Sequence, residues 1–270
     1  MRLGFGLGLA LASAVALNWG YFAQHGGASA LPRLELRRPL HSVGLLLGNR
    51  RWLAGFLAGF GGWGLYLGAL VLAPLSLVQA VSAGGIGVLA LLVHLGPGDE
   101  QLTRREWTAV GVAFAGLALL AVSLAGAHHT GRAPSWVTAG VWLLALAGGA
   151  AAVVCSIGVG APAAAALGAA SGVLYATGDV ATKAVVASVG LFFVPAIFAA
   201  HGLGFVCLQL GFQRGSALVT AGPSILLTNA LPIAAGTVLF HEGLPPGALG
   251  DCRVASFALV TAGAALLARA

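Results

Sequence analysis

The sequence predicts an all-α fold: a polytopic membrane helix bundle of about nine transmembrane helices in two inverted repeats, in 4+1+4 order. Three observations predict it. Mean hydropathy is +0.97 and 7% of residues are charged, against roughly 25% in soluble domains. Nine apolar segments of near-spanning length stand at 3–24, 52–73, 75–96, 107–126, 136–156, 162–186, 190–212, 217–240 and 253–269; about 20 apolar residues cross the hydrocarbon layer. The chain also matches itself three times, in a consistent order.

In the first segment, Arg2 precedes an apolar run and Ala28-Ser29-Ala30 resembles a leader cleavage site. The self-match uses this run, so it reads as a retained helix. The loop 25–51 is the longest, carries Arg33, Arg37, Arg38, Arg50 and Arg51, and holds an apolar piece, 40–48, too short to span. Segments 52–73 and 75–96 meet at Pro74 as a tight helical hairpin, and Gly55/Gly59 and Gly64/Gly68 set small residues at helix-packing spacing. Segment 107–126 closes the first repeat, 1–126; the linker 127–161 holds the fifth helix; the last four segments form the second repeat, 162–270. Pro195, Pro223 and Pro232 interrupt segments 190–212 and 217–240, and each removes a backbone donor. Trp19, Trp52, Trp107 and Trp136 sit near span ends, as interface anchors do.

The self-matches pair Ala12-Ser13-Ala14-Val15 with Ala170-Ser171-Gly172-Val173, Ser76-Leu77-Val78-Gln79-Ala80 with Ala217-Leu218-Val219-Thr220-Ala221, and Ala118-Leu119-Leu120-Ala121 with Ala265-Leu266-Leu267-Ala268. Their offsets are 158, 141 and 147 residues, the longer first loop accounting for the first drop. Four spans, one linker span and four more invert the second repeat relative to the first. That plan recurs in secondary transporters, with the site near mid-membrane where the repeats meet.

Arginines set the expected orientation. Nine lie in the loop 25–51, the loop 97–106, at Arg214 and at Arg269, against three (Arg2, Arg132, Arg253) on the other side. The richer side should be cytoplasmic. The N-terminus is then outside and the C-terminus cytoplasmic, in a multi-pass protein of the plasma (inner) membrane.

Segment 162–186 carries the most informative polar residues. Asp179 and Lys183 are the acid and the lysine that fall inside apolar segments, and they share a helix face at four-residue spacing with Tyr175. Ionisable groups at membrane depth face a cavity, a partner or a transport path; the alternative is a structural ion pair that fixes helix packing. The repeat register sets Tyr21 opposite Asp179 and His25 opposite Lys183, and Asn18, Tyr21 and His25 share a face of the first helix. Asp179, Lys183, Tyr175, Asn18, Tyr21 and His25 are therefore the first substrate-path candidates, followed by Gln79, His201 and Asn229. His201 titrates in the right range for coupling to protons, although a lone helix histidine more often makes one structural hydrogen bond.

No nucleotide-binding loop, Ser/His/Asp constellation or His-Glu-x-x-His helix occurs in the sequence. Cys155, Cys207 and Cys252 are scattered without metal or disulfide spacing, and His128-His129 is a weak metal signal. No catalytic residue, metal site or cofactor is expected. The net charge of +6 sits in short loops and suits anionic lipid head groups better than nucleic acid.

Three short stretches carry a family resemblance. Leu72-Ala73-Pro74-Leu75-Ser76-Leu77-Val78 is similar to an Ala-Pro-x-Ser-Leu-Val turn. Gly98-Asp99-Glu100-Gln101-Leu102-Thr103-Arg104-Arg105-Glu106-Trp107 resembles a Gly-Glu-x-Leu-Thr-x-x-x-Trp loop with one residue inserted, and Phe240-His241-Glu242-Gly243-Leu244-Pro245 is its counterpart in the second repeat. These resemble the drug/metabolite transporter superfamily, in its EamA-like and NIPA-like nine-helix branch. Lys183 also resembles the lysine that ends the repeat-opening helix there, whereas His25 departs from it in the first repeat. The resemblance implies two inverted repeats and gradient-driven transport by alternating access, without naming a substrate. Asp99, Glu100 and Glu242 read as helix-terminus and loop-closing groups.

The resulting expectation is a secondary transporter of a small molecule. A divalent-cation transporter of the NIPA kind is one alternative, weakened because Mg²⁺ wants carboxylate oxygens and the spans offer only Asp179. A non-transporting membrane scaffold or accessory subunit is another, and a fully packed apolar centre would mark it. Expected partners are the lipid bilayer and an unidentified small molecule or ion, with a homodimer open as an assembly.

Overall fold

The computed structural model describes residues 2–35, 37–73, 78, 81–82, 84–96, 102–123, 132–187, 189–241 and 244–268. Among them there are ten helices and no strand: α1 Arg2–Ser29, α2 Pro39–Gly48, α3 Arg50–Leu72, α4 Gly85–Leu95, α5 Arg104–Ser123, α6 Trp136–Cys155, α7 Ala163–Val186, α8 Val194–Phe212, α9 Ala217–Val238 and α10 Ala248–Ala268. The all-α membrane class stands. Among the described residues, the helices long and apolar enough to cross a bilayer are six, namely α1, α5, α6, α8, α9 and α10. At 23 and 24 residues, α3 and α7 have the length to span; in α7, glycine, Ser171 and Asp179 dilute the hydropathy. The described part of segment 75–96 forms the eleven-residue α4 and, before it, has helical residues at Val78, Val81 and Ser82; the apolar piece 40–48 forms the short α2.

Local chemistry fixes the helix starts. Asn49 caps α3 by accepting from the Trp52 amide at 3.0 Å, and Ser135 and Ser216 cap α6 and α9 in the same way. At α5, Thr103 and Glu106 form a reciprocal capping box. The Thr103 amide donates to Glu106 Oε2 at 2.7 Å and the Glu106 amide to Thr103 Oγ1 at 3.2 Å. Part of the loop motif around Trp107 is therefore a helix start. Pro195 lies in the first turn of α8, where its missing N–H costs nothing, so it does not interrupt the helix as expected. Pro223 and Pro232 do lie inside α9, which is assigned as helix throughout.

The two halves pack internally by one scheme. In the first, α1 runs antiparallel to α3: Gly6 meets Ala73, Gly62 meets Leu17 and Gly27 meets Trp52. In the second, α7 runs antiparallel to α8: Gly178 meets His201, Gly204 meets Tyr175 and Gly211 meets Leu167. Each opening helix also packs on a later member of its half, α1 on α4 and α7 on α9. Between the halves, α5 and α10 form an antiparallel seam. Gly116 lies on Val260 and Gly263 on Ala113, while at one end buried Arg253 donates through Nε to Ser123 Oγ (3.2 Å) and through a terminal nitrogen to the Ser123 carbonyl (3.0 Å). The main core gathers apolar residues of α4, α5, α8, α9 and α10. α6 packs on α7 and is otherwise largely exposed, as a lipid-facing helix would be.

Close approach depends on particular glycines. A Cβ at Gly55 would lie 2.7 Å from the Gly20 carbonyl oxygen and 2.8 Å from the Gln24 amide nitrogen, so α1 and α3 touch backbone to backbone there. A Cβ at Gly64, which the sequence pattern ranks equally, would meet no other part of the structure within 4 Å.

Candidate functional site

Between α1 and α3 on one side and α7, α8 and α9 on the other lies a cavity with two connected lobes of about 670 and 580 Å³. Six residues face both lobes: Leu17, Tyr21, Trp63, Tyr175, Asp179 and His201. Both halves thus build the site.

Its charged centre is a pair that the sequence did not couple. Asp179 Oδ1 lies 3.5 Å from His201 Nε2, and the two side chains are 43% and 41% exposed, so both reach the cavity. Their approach is set by the α7–α8 crossing, where Gly178 leaves room for the imidazole. The other ring nitrogen, Nδ1, lies 2.9 Å from the Ile197 carbonyl oxygen, one turn back on α8. The Tyr175 ring is 5.8 Å from the imidazole.

This corrects the expected Asp179–Lys183 pair. Four residues apart on α7, the two side chains diverge, and Lys183 Nζ stands 4.7 Å above the Phe240 ring, outside the cavity lining. His25, matched to Lys183 by the repeat register, is also outside: its Nε2 bonds the Gly215 carbonyl at 3.0 Å at the end of the bundle. Tyr21 and Tyr175 face both lobes, and Asn18 and Asn229 face the smaller. The amides of Asn18 and Asn229 donate back to the carbonyls of Ala14 and Ile225, each at 2.8 Å, and the buried Asn18 Oδ1 has no hydrogen-bond partner. Gln79, Asp99, Glu100, Glu242 and His128-His129 lie outside the described residues.

Sequence reading missed the aromatic wall. Phe56, Phe60 and Trp63 follow one face of α3 at spacings of four and three, and Phe198, His201 and Phe205 follow one face of α8 at three and four. Phe56 is 5.1 Å from Phe60 and 5.9 Å from Phe205, centroid to centroid. The spacing was visible in the sequence, but helical aromatic stripes usually pack into cores, and nothing local marked this one as facing a void.

Below the larger lobe a polar chain ties the halves together. Trp52 Nε1 donates to Gln209 Oε1 at 2.8 Å, and Gln209 Nε2 donates to Gln24 Oε1 at 2.9 Å. Further out, Gln213 Nε2 donates to the carbonyls of Ala28 (2.9 Å) and Pro32 (3.0 Å), and its Oε1 accepts from the Leu34 amide (2.9 Å). Among the described residues no group of three or more His, Cys, Asp or Glu could hold a metal ion.

Over 118 residues the chain is 34% identical to a protein of Arabidopsis thaliana described as "Probable magnesium transporter NIPA9". The similarity is to a transporter, not an enzyme. It takes in 44% of this chain and 33% of the relative, so the chain spans about a third of that protein's length. No family model matches the chain, and no solved structure does. Together with the apolar helices, the similarity supports a multi-pass membrane protein.

Proposed function

We propose that this chain is a gradient-driven secondary transporter of a small solute, of the drug/metabolite transporter type. In this reading it has nine spans: inverted repeats at 1–126 and 162–270, with a linker at 127–161 that includes α6. Alternating access would carry the solute through the cavity described above. The observation that carries the reading is the Asp179–His201 pair, held open to a cavity that both halves line. Charge at membrane depth is costly, so a partly exposed carboxylate there points to something that passes. Like internal packing in the two halves, with an antiparallel α5–α10 seam between them, supports the inverted arrangement. A cavity of this size weighs against a packed-centre scaffold.

The test is reconstitution. Purified protein is screened by thermal shift against metabolite and ion libraries, and each hit is followed as uptake into proteoliposomes under a proton or sodium gradient. Gradient-dependent uptake that Asp179→Asn abolishes supports the proposal; absence of any such flux for a stabilising hit refutes it.

Magnesium transport is the second reading, favoured by the similarity to the NIPA-described protein. Mg²⁺ keeps most of its water and needs oxygen ligands, usually one or two carboxylates. In the cavity Asp179 supplies a carboxylate among aromatic rings. Mg²⁺ entry into dye-loaded proteoliposomes, lost in Asp179→Asn, would establish it.

A further inference from the structure

We propose that the bundle end carrying α2 is a docking site for an anionic phospholipid. Arg33 and Arg214 share its phosphate head group across the joint between the two halves, and the exposed apolar face of α2 lies among acyl chains. The inference goes beyond the transporter reading, since it needs a bilayer and no transported solute.

At ten residues, α2 is about 15 Å long, half of what crosses the hydrocarbon layer. Both of its ends stay at one end of the bundle. Near its start, Ser42 Oγ accepts from the Glu35 amide at 2.9 Å, and the adjacent Leu34 amide donates to Gln213 Oε1 just after α8 at 2.9 Å. At its finish, Asn49 Nδ2 donates to the Gly27 carbonyl at 3.4 Å, and Leu46 is buried. The helix therefore lies across the end of the bundle with one side attached. Its free side is Leu40, Val43 and Leu47, at helical spacings of three and four and 87%, 49% and 51% exposed. A short helix with an apolar free side and flanking arginines suits the plane of the lipid interface.

Cations surround that face. Arg37 and Arg38 stand just before α2 and Arg50 and Arg51 just after it, all four exposed. Two more arginines meet in a crevice of about 330 Å³, where Arg33, Leu34 and Glu35 from the loop after α1 face Leu210, Gln213 and Arg214 at the end of α8. Gln213 is already used: its amide bonds the Ala28 and Pro32 carbonyls and the Leu34 amide. The Glu35 carboxylate lies 4.0 Å from Arg38 Nε. Arg214 also borders a second crevice with Glu106, whose carboxylate accepts from Thr103 in the α5 cap. Neither Arg33 nor Arg214 has an ion-pair partner among the described residues.

The two features together name the partner. Two guanidinium groups at one crevice fit a phosphate, whose oxygens accept their paired N–H donors. A soluble phosphate would leave Leu40, Val43 and Leu47 against water. A phospholipid answers both, with its phosphate in the crevice and its chains beside α2. A zwitterionic head group brings its own cation to this arginine cluster, whereas an anionic one does not. The arginine-rich end is also the end expected to be cytoplasmic, where anionic lipid collects. Arg33 belongs to the first half and Arg214 to the second, so a shared head group joins the halves where Gln213 already ties them.

The test uses the full chain in a neutral detergent, with dioleoyl phosphatidylglycerol and dioleoyl phosphatidylcholine as probes. Native mass spectrometry and the shift in unfolding temperature give the affinity for each. Phosphatidylglycerol should bind about tenfold or more tightly, and its advantage should shrink as salt rises. Arg33→Gln and Arg214→Gln should each weaken it about fivefold, Arg50→Gln less than either, and Arg132→Gln, before α6 at the other end, not at all. Leu40→Ser combined with Leu47→Ser should weaken both lipids alike. Glycerophosphoglycerol, the head group without chains, should fail to displace the lipid. In nanodiscs, amide exchange at 31–35 and 213–216 should be slower with phosphatidylglycerol than with phosphatidylcholine. Gel filtration checks that the variants fold; if an arginine variant does not, the wild-type lipid preference and its salt dependence decide. Equal affinity for the two lipids overturns the proposal, as does a loss from Arg132→Gln or Arg50→Gln as large as that from Arg33→Gln. Displacement by glycerophosphoglycerol would make this a soluble-phosphate site instead, and unchanged exchange would overturn the shared head group.

Discussion

Replacing Gly55 by alanine adds one methyl group at the tightest point of the α1–α3 contact. That methyl would lie 2.7 Å from the Gly20 carbonyl oxygen, 2.8 Å from the Gln24 amide nitrogen and 2.9 Å from the Ala23 Cβ. Two of the three obstacles are backbone, so no side-chain rotation relieves them, and the helices must separate by roughly half an ångström to reach ordinary contact distances. Overpacking of this kind costs about 1–3 kcal/mol, and the better helix propensity of alanine returns up to about 1 kcal/mol. A net loss of about 1–2 kcal/mol is expected, close to a tenfold fall in the folded-to-unfolded ratio. Gly64→Ala is the matched control: its methyl meets nothing within 4 Å, so only the propensity gain remains. Thermal unfolding of both variants in the same detergent, with titration into a denaturing detergent for the equilibrium, reads the difference. Equal stability of the two variants, or greater damage from Gly64→Ala, would refute this account of the α1–α3 contact.

Gln209→Leu removes the hydrogen bonds to Trp52 and Gln24; at about 0.6 kcal/mol per interhelical bond a loss near 1 kcal/mol is expected. A double-mutant cycle with Gln24→Leu should show coupling between the two positions. Thr103→Ala dismantles the capping box of α5 and should cost about 1 kcal/mol, read as a lowered unfolding midpoint that Thr103→Ser largely restores. A reporter fused after Ala270 should read cytoplasmic and one near Pro134 external; an external C-terminal fusion would sink the nine-span topology.

Class was legible in the sequence because hydropathy and length are local sums, and a bilayer sets one threshold for every segment. Aligning the halves sets Tyr21 and Tyr175 on comparable faces of two helices, and both side chains line the same cavity. The partner of Asp179 did not follow. The i,i+4 spacing points to Lys183, yet a side chain also answers to what packs across from it: α8 brings His201 to Asp179, and Lys183 lies over the Phe240 ring. Gly55 and Gly64 show the same limit. Both fit the small-residue spacing, and only the position of α1 distinguishes the packed glycine from the open one.

In a transporter of the proposed kind, the polar chain beneath the cavity would set how often that end of the bundle opens. Trp52–Gln209–Gln24, His25–Gly215 and the Gln213 contacts join α1, α3 and the loop between them to the end of α8 and the turn after it. At about 0.6 kcal/mol for each hydrogen bond, the set is worth roughly 4 kcal/mol. Such a gap would leave an opened form at about one molecule in a thousand, a minor population that thermal motion visits without any bound ligand. A solute gripping that form only a few kcal/mol more tightly would make it the dominant one. Six modest contacts in place of one buried ion pair would thus hold that end together at rest and leave it within reach of reversal by binding energy alone.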